Sequence, residues 1–411
     1  MLLQTGTGEN RVARFRVPRT IFPSVDTPRN GRTLYCPAMR KALLALLLVP
    51  VALSAQPRAK NVILFLADAG GLSTISAASL HGYGAPRRLY VQRMPHIGLS
   101  DTTTASQIVS DSAAGMTAIV TGQKTHNGVI SQSATAVRKK SDGAPLKTIL
   151  EYAEGRGLAT GVITNDALTG ATPAATYAKA NDRGMTAHIF QQIFTPRFGD
   201  GVDVMIGGGR PAVAAALKDA SLDLDAVAQK GRRPVLRTFS EIPDGATRVL
   251  LMLDSGEFDL QTAIDRTLRM LSANPRGYFL MVEWDTHTDR VRLGLDRLVT
   301  LDRVIARTAQ KVGSDTLLLF TADHSFDLRL RGGTFGPQLL DGLEQAEADA
   351  PKGQVRTTSL RMDNGHTGEE VLAAAQGPGA ERVGGFMANT DLFRVMMAAY
   401  GWEASPPSPT R

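Results

Sequence analysis

The run Tyr278-Phe279-Leu280-Met281-Val282-Glu283-Trp284-Asp285-Thr286-His287 decides how this chain is read. Its first half is five consecutive apolar residues, continuous rather than alternating, as in a strand buried on both faces. Its second half places an acid, an acid and an imidazole at alternate positions. In extended backbone, residues two apart point the same way, so Glu283, Asp285 and His287 converge on one side. Three such groups in five residues, just past a buried strand, are hard to explain by folding alone.

Working outward, similar apolar runs occur at Asn61–Leu66, Ala159–Thr164, Val202–Ile206 and Thr316–Thr321. Amphipathic stretches at Ser112–Val120, Pro145–Arg156, Leu260–Ala273 and Leu293–Lys311 read as helices between them. This rhythm predicts an α/β fold with a mainly parallel central sheet and helices on both faces. Ligands collect at the carboxyl ends of strands in such sheets. The polar clusters fall there: Asp68 after the first run, Glu283 to His287 after another, Asp323-His324 after the last. Arg329–Arg361 is less regular, with glycines and an acidic patch, and reads as a short surface insertion between two site elements. No internal repeat is visible.

The 411 residues are 43% hydrophobic and 21% charged, a globular composition, with a formal net charge of +7. That charge is not spread evenly. Residues 1–60 hold ten basic side chains against Glu9 and Asp26, so everything after Lys60 is about one unit negative. A basic surface for nucleic acid is therefore not expected on the body of the protein. Residues 39–56, MRKALLALLLVPVALSAQ, have the basic, apolar and small-residue segments of a secretory signal peptide. The apolar stretch is too short for a convincing membrane span. The chain is thus expected to be exported, periplasmic or secreted, with no stable span after signal cleavage. Residues 1–38 read as a disordered leader or mis-called extension, 60–402 as the catalytic domain and 403–411 as a disordered tail. The only cysteine, Cys36, lies in the leader, so the mature protein would hold no disulfide.

The remaining candidates carry chemistry in combination more than singly. Ser112, in Asp111-Ser112-Ala113-Ala114-Gly115, opens a small-residue helix, beside unpaired backbone N–H groups and the positive end of the helix dipole. That is a place for phosphate, although such residues are more often mere caps. Asp68 stands before Ala69-Gly70-Gly71, small residues that let the backbone turn sharply. His366, in Asn364-Gly365-His366-Thr367-Gly368, suits a ligand presented on a tight loop. Thr172, in Ala171-Thr172-Pro173, offers a hydroxyl, and Arg183 a fork that matches two phosphate oxygens. Carboxylate with imidazole favours Zn²⁺, and carboxylate with hydroxyl suits Mg²⁺.

In order, Asp68, Asp111-Ser112-Ala113, Ala171-Thr172-Pro173-Ala174, Arg183, Glu283/Asp285/His287, Asp323-His324 and His366-Thr367-Gly368-Glu369 resemble the alkaline phosphatase family. The resemblance spans roughly Asn61 to Leu392. It implies a metal-dependent phosphomonoesterase acting on small-molecule phosphate monoesters, with Ser112 the nucleophile that becomes phosphoserine and Arg183 a clamp on the phosphoryl oxygens. It implies one zinc on Asp68, Asp323 and His324, a second on Asp285, His287 and His366, and a magnesium on Asp68, Thr172 and Glu283. A homodimer is compatible with it. Three departures from the family pattern stand out. Glu283, Asp285 and His287 are more closely spaced than usual, which leaves Asp289 as an alternative to the favoured Asp285. Gly170 stands where relatives often carry Asp or His near the magnesium, so that cation's shell is expected to be looser or more hydrated. The first motif reads Asp-Ala-Gly-Gly rather than Asp-Gly-Met-Gly. The competing readings are a phosphodiesterase of the same superfamily and an inactive metal- or phosphate-binding exoprotein. A sulfatase is disfavoured, because Ser112 lacks that family's surrounding frame.

Overall fold

The structure is a computed structural model that describes residues 58–334, 338–350 and 354–403. The expected leader and signal, Cys36 and nearly all of the expected tail lie outside these described residues. The strands among them are β1 (Asn61–Asp68), β2 (His96–Ser100), β3 (Ala159–Ala167), β4 (Val204–Gly208), β5 (Val249–Met252), β6 (Tyr278–Asp285), β7 (Thr316–Thr321), β8 (Ser325–Leu330), β9 (Gln354–Arg356), β10 (Leu360–Thr367), β11 (Val371–Gln376) and β12 (Gly385–Met387). Nine of them form one sheet in the order β12-β2-β11-β7-β1-β6-β3-β4-β5. The run from β7 to β5 is parallel throughout. Only β11 runs against its neighbours, β7 and β2.

The continuous apolar runs serve two cores at once. In β1, Val62, Leu64 and Leu66 pack with Met116, Ile119 and Val120 of the Ser112–Thr121 helix. The alternate residues Ile63, Phe65 and Ala67 pack on the other face with Leu295, Leu298 and Ile305 of the Val291–Lys311 helix. Each large apolar side chain so buried contributes about 1.5–3 kcal/mol. This two-sided burial locks the strand register, since a one-residue slip would exchange the two faces. The register in turn sets the strand ends level: Asp68 lies opposite Asp285, and Leu66 opposite both Glu283 and Thr321.

Local chemistry moved some boundaries. The helix expected from Pro145 starts only at Ile149, because the Thr148 side chain accepts from the Glu151 N–H while Glu151 accepts from the Thr148 N–H. That reciprocal cap fixes the first turn. The strand expected from Val202 begins at Val204. The larger correction concerns the insertion. The two ends of Arg329–Arg361 join a second sheet, ordered β8-β10-β9 and antiparallel, and a helix spans Leu343–Asp349 between them. Phe326, Leu328, Val355, Leu360 and Met362 are the sheet's buried apolar residues, spaced for one covered face, and intervening charges hide that pattern in the sequence.

Candidate active site

The carboxyl end of β1 turns immediately after Asp68. Ala69 adopts the left-handed region at φ 63°, and its N–H donates to Asp323 Oδ1 at 3.3 Å. Two residues on, a Cβ on Gly71 would fall 2.0 Å from Ser325 Oγ, so only glycine lets this turn press against the β7–β8 connection. The Asp68 carbonyl accepts from the N–H and the hydroxyl of Thr286, at 3.0 and 2.7 Å, tying β1 to the segment after β6. The Asp68 side chain is thereby aimed along the sheet edge toward its neighbours' carboxyl ends.

The Ser112–Thr121 helix brings the hydroxyl. Asp111 caps it, with Oδ1 accepting from the Ala114 N–H at 3.1 Å and Oδ2 from Arg183 Nη1 at 3.1 Å. Arg183 therefore stands beside the helix start. Ser112 is buried, and its Oγ lies 3.2 Å from His324 Nε2. The helix can come this close because Gly115 faces the Asp323 backbone, whose carbonyl oxygen would be 2.5 Å from a Cβ there.

Three imidazoles meet at the same place. The His324 and His366 rings stack at 3.8 Å, and His287 lies 5.6 and 5.5 Å from them. His324 Nδ1 faces the Ser325 carbonyl at 3.1 Å, and His366 Nδ1 the Ser110 carbonyl at 3.0 Å. A carbonyl can only accept, so in each ring the proton is assigned to Nδ1 and Nε2 carries the lone pair. His324 Nε2 then points its lone pair at Asp68 Oδ1, 3.3 Å away, and Asp323 Oδ2, 3.6 Å away. Three electron-rich atoms face one another. Burial also lowers the pKa of His324 and of His366, which argues against a proton relieving the repulsion at those rings.

Deeper in the edge, Glu283 is fully buried. Its Oε2 accepts from the Thr164 hydroxyl at 2.5 Å, while Oε1 has no partner. Burial first, then the charges of Asp68 and Asp166, push this carboxyl well above the usual range. Asp323 is raised in the same way by burial and by Asp68. His287 is pushed up to about 9: burial opposes its charge, but Asp68, Asp285 and Asp323 together outweigh it. The cluster is short of positive charge.

The orphaned atoms say where cations fit. Asp68 Oδ1, Asp323 Oδ2, Glu283 Oε1 and Thr172 Oγ1 are all buried without a hydrogen-bond partner, each at a cost on the order of 1–3 kcal/mol. The ligand atoms of Asp68, Asp323 and His324 lie within 4.8 Å of one another, and so do those of His287, His324 and His366. A nitrogen and two carboxylate oxygens suit a zinc-like ion, and an all-oxygen group suits magnesium.

Asp68, Ser112, His287, Asp323, His324 and His366 are linked by the contacts just given; Asp285 joins them through His287, and Glu283 feels the charge of Asp68. Arg183 stands beside them, held through Asp111, and Thr172 is buried in the Ala171–Tyr177 helix with its hydroxyl unpartnered. Asp289 is exposed, outside the cluster. Asp285 has both oxygens engaged: Oδ1 accepts from His287 N and Nδ1, at 3.0 and 2.8 Å, and Oδ2 from Arg297 Nη1 at 2.7 Å. A cation taking Asp285 must displace one of these donors. His366 is on β10 rather than on a tight loop, opposite Phe326 just past a register shift that begins at Met362. Sequence reasoning passed over Arg297 and Asp166. Asp166 was within reach of the rule that found Asp68, being an acid at the carboxyl end of a buried strand.

A model of the alkaline phosphatase family matches residues 59–241 and 254–360. Alkaline phosphatase 4 of Drosophila melanogaster is 26% identical over 459 residues, covering 84% of this chain and 77% of the fly protein. Streptomycin-6-phosphate phosphatase of Streptomyces griseus is 29% identical over 439 residues, covering 88% of this chain and 96% of that protein. Among solved structures, a variant of the TAB5 alkaline phosphatase with Mg bound in its M3 site superposes with a TM-score of 0.68 at 25% identity. That match covers 85% of this chain and 99% of the TAB5 chain.

Proposed function

The chain belongs to the alkaline phosphatase family, whose members hydrolyse phosphate esters, and from that premise we propose that it cleaves phosphate monoesters through a phosphoserine on Ser112. The observation that carries the reading is the meeting of Ser112 Oγ, His324 Nε2 and Asp68 Oδ1 at 3.2 and 3.3 Å, with orphaned carboxylate oxygens around them. The relative named for streptomycin-6-phosphate supports small-molecule phosphate esters as the substrate class.

In the proposed mechanism, Arg183 binds two non-bridging oxygens of the ester and fixes the phosphorus in front of Ser112. Free backbone N–H groups at the start of the helix add positive potential at the same point. Ser112 Oγ loses its proton to solvent and forms a bond to phosphorus as the ester oxygen leaves in line and takes up a proton from water. A second water then attacks the phosphoserine phosphorus opposite Oγ, releasing phosphate, and Oγ regains a proton. Asp111 holds both the helix start and Arg183, so nucleophile and clamp keep a fixed spacing. Asp68, Asp323 and His324 would hold one zinc, Asp285, His287 and His366 a second, and Asp68, Thr172 and Glu283 a magnesium. When bound, these ions supply Lewis-acid stabilisation to the attacking and leaving oxygens. The Nδ1–carbonyl bonds of His324 and His366 keep their Nε2 lone pairs turned to the cations.

The test is acid-quenched labelling with a ³²P monoester, together with a comparison of p-nitrophenyl phosphate and its bis-ester. Label on the wild type, none on Ser112→Ala, and faster monoester turnover are expected. Dominant diester turnover would replace the monoesterase reading with the phosphodiesterase one. Absence of label in the wild type under single-turnover conditions would remove the phosphoserine. Export follows from the signal-like 39–56 segment; among the described residues no helix is long and apolar enough to cross a membrane.

A further inference from the structure

We propose that Asp166 is a fourth protein group of the oxygen-lined site of Asp68, Thr172 and Glu283, its carboxylate using the space left by the missing side chain of Gly170. The inference rests on the reading of those three residues as a magnesium site and adds a residue that the resemblance does not supply.

The geometry begins at Gly170. A Cβ there would lie 2.6 Å from Asp166 Oδ2 and 3.3 Å from its Cγ, so a larger residue at 170 and the present Asp166 carboxylate exclude each other. Thr172 is two residues further along the same turn, with its buried hydroxyl unpartnered. Asp166 is also wired to the far side of the site: its N–H donates to Thr164 Oγ1 at 2.8 Å, and that hydroxyl donates to Glu283 Oε2. Donation to Thr164 anchors the Asp166 backbone, and acceptance by Oε2 leaves Glu283 Oε1 as the free, fully buried ligand oxygen. Asp166 itself is exposed, whereas Glu283 is fully buried. The charges acting on its carboxylate include Asp68 and Asp285, opposed by Arg183. Three carboxylates and one hydroxyl, with no imidazole among them, form the donor set of a hard cation of magnesium size rather than of zinc. The looser shell that Gly170 alone would imply is thereby closed from four residues earlier.

The test is Mg²⁺ titration of the zinc-loaded holoenzyme, followed by calorimetry and by the shift in melting temperature, with zinc content measured alongside. Asp166→Asn is expected to weaken Mg²⁺ binding about 10–100-fold, with zinc unchanged. Adding Gly170→Asp to Asp166→Ala is expected to restore part of the affinity, since the contact with the Asp166 carboxylate is then gone and only the 2.9 Å approach to the Ala167 carbonyl oxygen must relax. Wild-type Mg²⁺ affinity in Asp166→Asn, or zinc loss equal to the magnesium loss, overturns the assignment of Asp166. If the wild type itself shows no Mg²⁺ response, it is the magnesium site that fails, and Asp166 with it.

Discussion

Gly115→Ala separates two effects that usually travel together. In a helix interior, Ala is favoured over Gly by about 1 kcal/mol, so propensity alone predicts a more stable protein. Here the added Cβ would sit 2.5 Å from the Asp323 carbonyl oxygen and 3.1 Å from that residue's carbonyl carbon and Cβ. Ordinary contact begins near 3.4 Å, so helix and strand end must part by about 1 Å. Overpacking of this size costs about 1–3 kcal/mol, which cancels or reverses the propensity gain. The same movement stretches the 3.2 Å approach of Ser112 Oγ to His324 Nε2 toward about 4 Å. A 1 Å misplacement of a reacting group costs about 100-fold in rate. The assay is kcat/KM on p-nitrophenyl phosphate, with urea denaturation alongside. Gly384→Ala, whose Cβ would meet nothing within 4 Å, is the matched control. A Gly115→Ala protein that gains stability and keeps wild-type kcat/KM would refute the claim that this glycine sets the nucleophile against the Asp323-His324 pair.

Arg183→Ala is expected to weaken inhibition by inorganic phosphate about 10–100-fold, the loss of a charged hydrogen-bonding pair at about 1.5–3 kcal/mol; unchanged inhibition would remove Arg183 as the clamp. Chelation is expected to abolish activity and lower the melting temperature, and Asp323→Asn to raise the melting temperature of the chelated protein while lowering that of the metal-loaded one. The same sign of change in both forms would count against the charge argument. Away from the site, Glu154 is raised to about 7 by burial, against the Thr160 and Gly201 hydrogen bonds that oppose the shift. A raised acid contributes stability that is present below the unfolded value near 4.5 and is lost as pH climbs toward 7, up to about 3 kcal/mol here. Glu154→Gln is expected to flatten urea-derived stability between those pH values; an unchanged slope would place the titration elsewhere.

The parts of the fold legible in the sequence were those governed by burial on two faces. β1 and β6 hold five or more apolar residues in a row, β3 and β7 are shorter apolar runs bounded by threonines, and all four are buried on both faces. β11, Val-Leu-Ala-Ala-Ala-Gln, was not legible: alanines suit a helix, and only the packing on both sides of this strand calls for side chains so small. The second sheet was hidden by charges on its open face. Within the site, Asp68, Glu283 and Asp323-His324 could be read locally, because each terminates a recognisable strand. The pairing of Asp111 with Arg183 and of Asp285 with Arg297 could not, because neither depends on a repeating pattern. Ser112 and His324 are 212 positions apart, and only the order of strands brings them together. Asp166 was passed over for another reason. The sequence marks only Gly170, four residues later, where a side chain is missing, and a vacancy in sequence does not reveal what fills it in space.

The charge balance at the strand ends links metal and fold. Level strand ends bring Asp68, Glu283, Asp285 and Asp323 together, with Asp166 close by. Against them stand Arg297, which is shared with Glu257, Arg183, which is held by Asp111, and a protonated His287. Two carboxylates about 4 Å apart repel by about 4 kcal/mol at the effective dielectric of a protein edge, so the arrangement opposes folding unless protons or cations intervene. Protons are one solution, and the raised values of Glu283, Asp323 and His287 show the site reaching for them. Divalent cations are the other, and they gain ground as pH rises because the ligands must first lose those protons. The interval in melting temperature between metal-loaded and chelated protein therefore widens from pH 6 to pH 9, and an interval that narrows instead would mean that these carboxylates are not the groups the metals neutralise.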